Sequence, residues 1–183
     1  MGSNAMLGEV GLTLPSSWFV TIAWAAAWTA LMVAYSPFAD WMATKFFVAP
    51  PTLGAFRAIQ ESRAKLLAGI AAAWLLGGFL EELVFRGVVL RAVELGLAPL
   101  APHWIATSAA VVVAAIGAAI VHCYQGPRAV VIIMQLSVLF GVLFVVSGHN
   151  LWAAMLCHGS HDSIAFVRFA SGKSRYAKLR GGA

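Results

Sequence analysis

The stretch GIAAAWLLGGFLEELVFRGVVL, Gly69 to Leu90, decides how this chain folds. It is apolar for longer than the ~20 residues that cross a bilayer. Three charges, Glu81, Glu82 and Arg86, nevertheless sit inside it. The whole chain has the same character: of 183 residues, 61% are hydrophobic and 10% charged, and the mean hydropathy is +0.86. Soluble proteins are about one quarter charged. An all-α, polytopic transmembrane bundle is therefore expected, with about five spans near 17–35, 65–93, 104–122, 128–147 and 150–170.

The breaks carry the expected punctuation. Segment 36–64 holds Pro37, Pro50, Pro51 and Gly54 and reads as a loop with one short interfacial helix that includes Trp41 and Phe46–Phe47. Pro99 and Pro102 mark another break. The leading MGSNA (1–5) reads as an expression remnant. Residues 6–170 then form a single membrane-embedded domain, and 171–183 a basic cytoplasmic tail. The first apolar run, Trp18 to Tyr35, has no basic region before it, so no cleavable signal peptide is expected. The net charge of +5 comes from residues flanking apolar runs, which points to topology signals and lipid headgroups and not to nucleic acid. Placing the tail inside puts Lys45, Arg57, Arg63, Lys65 and Arg128 inside as well. An integral plasma-membrane protein of a prokaryote, N-terminus outside and C-terminus cytoplasmic, is the expectation. Trp18, Trp104 and Trp152 then anchor the outer ends.

Within the second span, Gly69, Ala73 and Gly77 recur every fourth residue, a smooth stripe against which another helix can pack closely. Continuing by four reaches Glu81, which places it on the packed side. Ionisable groups in spans are costly and default to a functional reading. Here they are Glu81, Glu82, Arg86, His122, His158, His161 and Asp162, drawn from three spans. Glu82 and Arg86 are four apart with the acid first, the favourable order for an intrahelical pair. Glu81 points about 100° away and lacks such a partner, which suits a general base. His158 and Asp162 are also four apart, so the carboxylate can orient the imidazole.

These residues support three chemistries. Glu81 can activate a water that His122 and His158 hold, or whose oxyanion product they stabilise. Glu81, His122 and His158 can instead bind zinc. A proton relay in a small transporter is the third. Ser160, His161 and Asp162 are consecutive and cannot converge as a triad, and Ser147 has no evident base. Cys123 and Cys157 read as small apolar fillers. His103 and His149 read as interfacial, Gln135 as an interhelical donor, and Tyr124 and Gln125 as lining the site mouth. The rival from another class is a non-catalytic membrane immunity or binding protein.

The motifs also resemble a known family. EELVFR (81–86), VHCYQG (121–126) and NLWAAMLCHGSHD (150–162) are similar, in order and spacing, to the three motifs of the CAAX-protease and bacteriocin-processing (CPBP, or Abi) intramembrane endopeptidases, over roughly 65–170. The resemblance implies a glutamate-dependent peptidase with no required cofactor, zinc being the alternative. Glu81 would activate water, Glu82 would pair with Arg86, and His122 would share the water. His158 and Asp162 would help form the oxyanion site. The implied partners are the lipid bilayer and a peptide or lipidated protein substrate. Two positions depart from the pattern: Ala118 stands where the family has Phe, which widens the pocket, and Asp162 stands where Asn is common. An ionised Asp162 would disfavour an oxyanion nearby. It is therefore expected to be protonated, paired with Arg86, or confined to orienting His158.

Overall fold

The computed structural model describes residues 8–174 and Tyr176. The leading MGSNA and the tail residues Arg175, Lys178 and Arg180 lie outside the described residues. Five long helices run through the rest: α1 Trp18–Thr44, α2 Arg63–Leu97, α3 His103–Ile120, α4 Pro127–Val146 and α5 Leu151–Ala170. Short 3₁₀ turns at Gly54–Gln60 and Cys123–Gln125 join them, and no strand occurs among the described residues. Helices α1 to α4 are long and apolar enough to cross a membrane. Helix α5 has the length, 20 residues, but gives up apolarity to carry His158, His161, Asp162 and Arg168. The expected all-helical bundle of about five spans is the architecture found.

Helix starts follow local chemistry. The side chains of Ser17, Ser62 and Asn150 accept from the amides of Val20, Lys65 and Ala153 at 3.4, 3.2 and 3.3 Å, and Pro127 opens α4 where its missing N–H costs nothing. The bundle interior is built from small residues. Ala106, Ala110, Ala114 and Ala118 recur every fourth position of α3 and are at most 2% exposed. Large side chains such as Phe19, Val88 and Ile120 are exposed instead. Small residues inside let helix backbones approach, and large apolar ones outside suit hydrocarbon. Trp18 and Trp152 meet edge to face at 5.7 Å, so the start of α1 and the start of α5 share one end of the bundle.

One boundary differs from the sequence reading. Residues 36–44, read as the beginning of a loop, continue α1 straight through Pro37 to Thr44. Trp41 therefore lies on α1, and the short helix of that region is Gly54–Gln60, beyond Phe46–Phe47. Proline removes one helix hydrogen bond, but packed neighbours can hold a membrane helix through it. Here Gln135 Nε2 donates to Ala39 O at 3.2 Å and Tyr35 Oη donates to Gln135 Oε1 at 3.0 Å. Arg128 Nε donates to the buried Asp40 Oδ1 at 2.9 Å. All three bonds join α1 to α4, and through Nε2 Gln135 is the interhelical donor expected of it.

Helix α2 packs its glycines against α5. A Cβ on Gly77 would lie 3.1 Å from His158 Nε2 and 3.2 Å from Asp162 Oδ2, and one on Gly78 would lie 3.3 Å from the Gly159 backbone nitrogen. The small-residue stripe thus does bring a neighbouring helix close. Its geometry differs in detail, because α2 winds through π-type turns over Ala73–Glu81 and Leu83–Leu90. Such turns span more than four residues, so the position returning beneath Gly77 moves toward Glu82.

Candidate active site

That shift in winding assigns the two glutamates different environments. Glu82 is fully buried, while the Glu81 side chain keeps 28% of its surface exposed. The reading that put Glu81 at the foot of the packed stripe is corrected accordingly: the glutamate under α5 is Glu82. Glu81 turns instead toward the end of α3, where its Oε1 lies 3.7 Å from His122 Nε2. His122 follows the end of α3, at the start of the Cys123–Gln125 turn, and donates from Nδ1 to Ala118 O at 2.8 Å. A carbonyl can only accept, so Nδ1 carries the proton of the neutral ring and Nε2 presents a lone pair toward Glu81. Two acceptors 3.7 Å apart are too far for a direct bond and suited to sharing one water. Tyr124 stacks on the His122 ring at 6.2 Å and accepts from Gln125 Nε2 at 2.9 Å. Both expected mouth residues therefore lie beside the pair.

Glu82 is the centre of a second, more deeply buried group. Its Oε1 accepts from His158 Nδ1 at 2.6 Å and lies 3.2 Å from Arg86 Nη1. The expected i,i+4 ion pair is present, buried on both sides. Arg86 also donates from Nη2 to the carbonyl oxygen and the hydroxyl of Ser137, at 3.0 and 2.6 Å. Phe140 stacks on the His158 ring at 4.5 Å and lies under the Arg86 guanidinium at 5.2 Å, which fixes both groups between α2, α4 and α5. Glu82 Oε2 and Arg86 Nε have no hydrogen-bond partner among the described residues. Buried polar atoms are nearly always paired, so this group has spare hydrogen-bonding capacity in an apolar surround.

On its other side, His158 faces Asp162, Nε2 to Oδ2 at 3.4 Å. Asp162 also meets His161, whose Nδ1 lies 3.3 Å from Oδ1. Of the three expectations for Asp162, orientation of His158 matches its contacts. Arg86 is taken up by Glu82 and Ser137. Both ring nitrogens of His158 face carboxylates, and His122 faces Glu81. Among the described residues, no group of three or more His, Cys, Asp or Glu side chains is arranged to hold a metal ion.

Sequence reasoning missed Ser137, Phe140 and Ser36. Ser137 and Ser36 are polar residues within apolar helices, a signal the sequence does carry. Phe140 carries no such mark, since its role depends on which face of α4 meets His158. The two histidines read as interfacial sit at helix ends and have polar partners there. His149 Nε2 lies 3.1 Å from Glu94 Oε2, a carboxylate 3% exposed, and His103 approaches Thr107 at 3.5 Å. Cys157 is buried against the Met32 sulfur at 3.8 Å, a filler as expected, while Cys123 is exposed.

The family model described as Type II CAAX prenyl endopeptidase Rce1-like matches residues 63–164. That range is more than half of the chain and contains α2 to α4 and most of α5. No curated protein and no solved structure matches the chain.

Proposed function

Because this chain belongs to the Rce1-like type II CAAX prenyl endopeptidase family, we propose that it is a CAAX-type intramembrane endopeptidase whose nucleophile is a water activated by Glu81. The observation that carries this reading is the 3.7 Å gap between Glu81 Oε1 and His122 Nε2. A water in that gap donates one hydrogen to each group and leaves its oxygen lone pairs free for attack. Glu81 takes the proton as the oxygen adds to the scissile carbonyl carbon. The carbonyl becomes an oxyanion, the C–N bond then breaks, and the proton passes from Glu81 to the departing amine. His158 supports the oxyanion through Nε2–H, a role helped by the apolar surround of Phe140. Arg86 pairs with Glu82, and Glu82 fixes the His158 ring.

The substrate class is a prenylated protein or peptide whose C-terminal residues are removed at the membrane. The cellular setting is a prokaryotic plasma membrane with the N-terminus outside. That orientation is supported by the basic residues Lys45, Arg57, Arg63, Lys65 and Arg128, which flank the ends of α1, α2 and α4.

Glu81→Gln should lower cleavage of a prenylated CAAX peptide by roughly 10²–10⁴-fold, the usual worth of a general base, with the unfolding midpoint in detergent unchanged. Retained cleavage would overturn the assignment of Glu81, whereas a wild-type protein that cleaves no such peptide would leave the non-catalytic binding protein as the better reading. Metal analysis of the active protein and its sensitivity to chelator separate a zinc-assisted version from a metal-free one.

A further inference from the structure

His161 has no part in the reaction described above, yet its ring is tied at both nitrogens. Its Nε2 lies 3.2 Å from Ser36 Oγ on α1, and its Nδ1 lies 3.3 Å from Asp162 Oδ1. The Ser36 hydroxyl has a single hydrogen, and it goes to Met32 O at 2.7 Å. Ser36 therefore accepts from His161, and the proton of the ring sits on Nε2. That leaves Nδ1 against a carboxylate oxygen. Two acceptors at that distance repel unless a second proton lies between them. The His161–Asp162 contact is therefore attractive when the pair holds a proton of its own.

This matters because Asp162 is the last link to His158. Its Oδ2 faces His158 Nε2 at 3.4 Å, the ring nitrogen left over once Nδ1 has been given to Glu82 at 2.6 Å. A carboxylate with full charge there would claim the Nε2 hydrogen for itself and repel negative charge developing next to it. A carboxylate offset from its far side by His161 does neither as strongly. We infer that His161, held in place by Ser36, is a positioning residue that offsets the charge of Asp162 and so frees the Nε2 hydrogen of His158 for the substrate. The inference rests on the proposed peptidase reading. It extends the polar chain across the bundle, from Ser36 on α1 through His161, Asp162 and His158 on α5 to Glu82 and Arg86 on α2.

The test compares His161→Phe, which keeps a ring but loses both N–H groups, with the double variant His161→Phe, Asp162→Asn. With a prenylated CAAX peptide, kcat should fall about tenfold in the single variant while KM moves less than about twofold, since the loss is confined to the transition state. The double variant should recover most of that loss, because a neutral amide has no charge to offset. The ¹⁵N resonance of His158 Nε2 should shift in the single variant and return toward its original position in the double. Wild-type kcat in His161→Phe overturns the inference, as does a folded double variant without recovery. If His161→Phe does not fold, His161→Gln, which keeps a donor but cannot hold a second proton, takes its place with the same recovery expected from Asp162→Asn. Glu81→Gln run in parallel keeps the two readings apart. If it still cleaves, the water-activation reading falls, while the ¹⁵N response of His158 continues to decide the role of His161.

Discussion

The molecule contains two buried glutamates that look alike by composition and differ in what their surroundings leave over. Glu94, near the end of α2, accepts from Thr107 at Oε1 (2.7 Å), and its Oε2 meets both Arg91 (2.5 Å) and His149 (3.1 Å). Each oxygen is satisfied, and the partners come from α3 and from the turn before α5. Glu82 likewise has an arginine and a histidine, but both converge on Oε1, and Oε2 has no partner among the described residues. A saturated carboxylate is a joint between elements. One with spare capacity, facing a histidine that itself leads to another acid, has the character of a site. Solvent access separates them further: the Arg91 side chain is 22% exposed and the Arg86 side chain 2%.

The largest expected contrast lies in the two arginines. Arg86→Met removes the buried cation beside Glu82, leaves it with His158 alone, and should cost about 3–5 kcal/mol of stability. Arg91→Met leaves Glu94 with Thr107 and His149 and should cost ~1 kcal/mol or less. Unfolding midpoints in detergent read both, and equal losses would break the comparison. A smaller effect is expected from Glu94→Gln, which should lower stability by about 1 kcal/mol and leave peptide cleavage within about twofold of wild type. A large loss of cleavage would mean that the Glu94 joint reaches the site.

The smallest effect is a pH dependence. Burial, and next the Arg91 guanidinium, hold the His149 imidazole below its ordinary pKa of 6.5, against the pull of Glu94. The folded state thus resists a proton that the unfolded state accepts. Stability contributed by neutral His149 is present above about pH 6.5 and declines as the pH falls below it, because the unfolded chain then binds more protons. Thermal unfolding at pH 7.5 and 5.5 should show this decline, and His149→Gln should reduce it.

Much of this could be read from the residues alone. Hydropathy and Pro/Gly placement located five helices, all but the C-terminal end of α1 to within a few residues, and i,i+4 spacing identified the Glu82–Arg86 and His158–Asp162 contacts. Both follow from local periodicity, which the chain carries without help from tertiary partners. Pro37 misled because its local signal is a break, while the bonds holding α1 through it come from Gln135 and Arg128 on another helix. Glu81 was placed beneath the glycine stripe on a regular four-residue repeat, and π-type winding moved Glu82 there instead. His149 gave no sign that a buried carboxylate would face it.

The sequence by itself determined that the chain is a helical membrane protein with a small set of ionisable groups inside it, because apolar length and spacing along one helix are local quantities. The tertiary structure decided how those groups divide. Glu81 meets His122 at an accessible edge, Glu82 is buried with His158 and Arg86, and His161 is joined to Ser36 on the first helix. Those pairings depend on how each helix is rotated and how deeply it sits against its neighbours, which the packing of glycine and alanine faces sets and no single helix specifies.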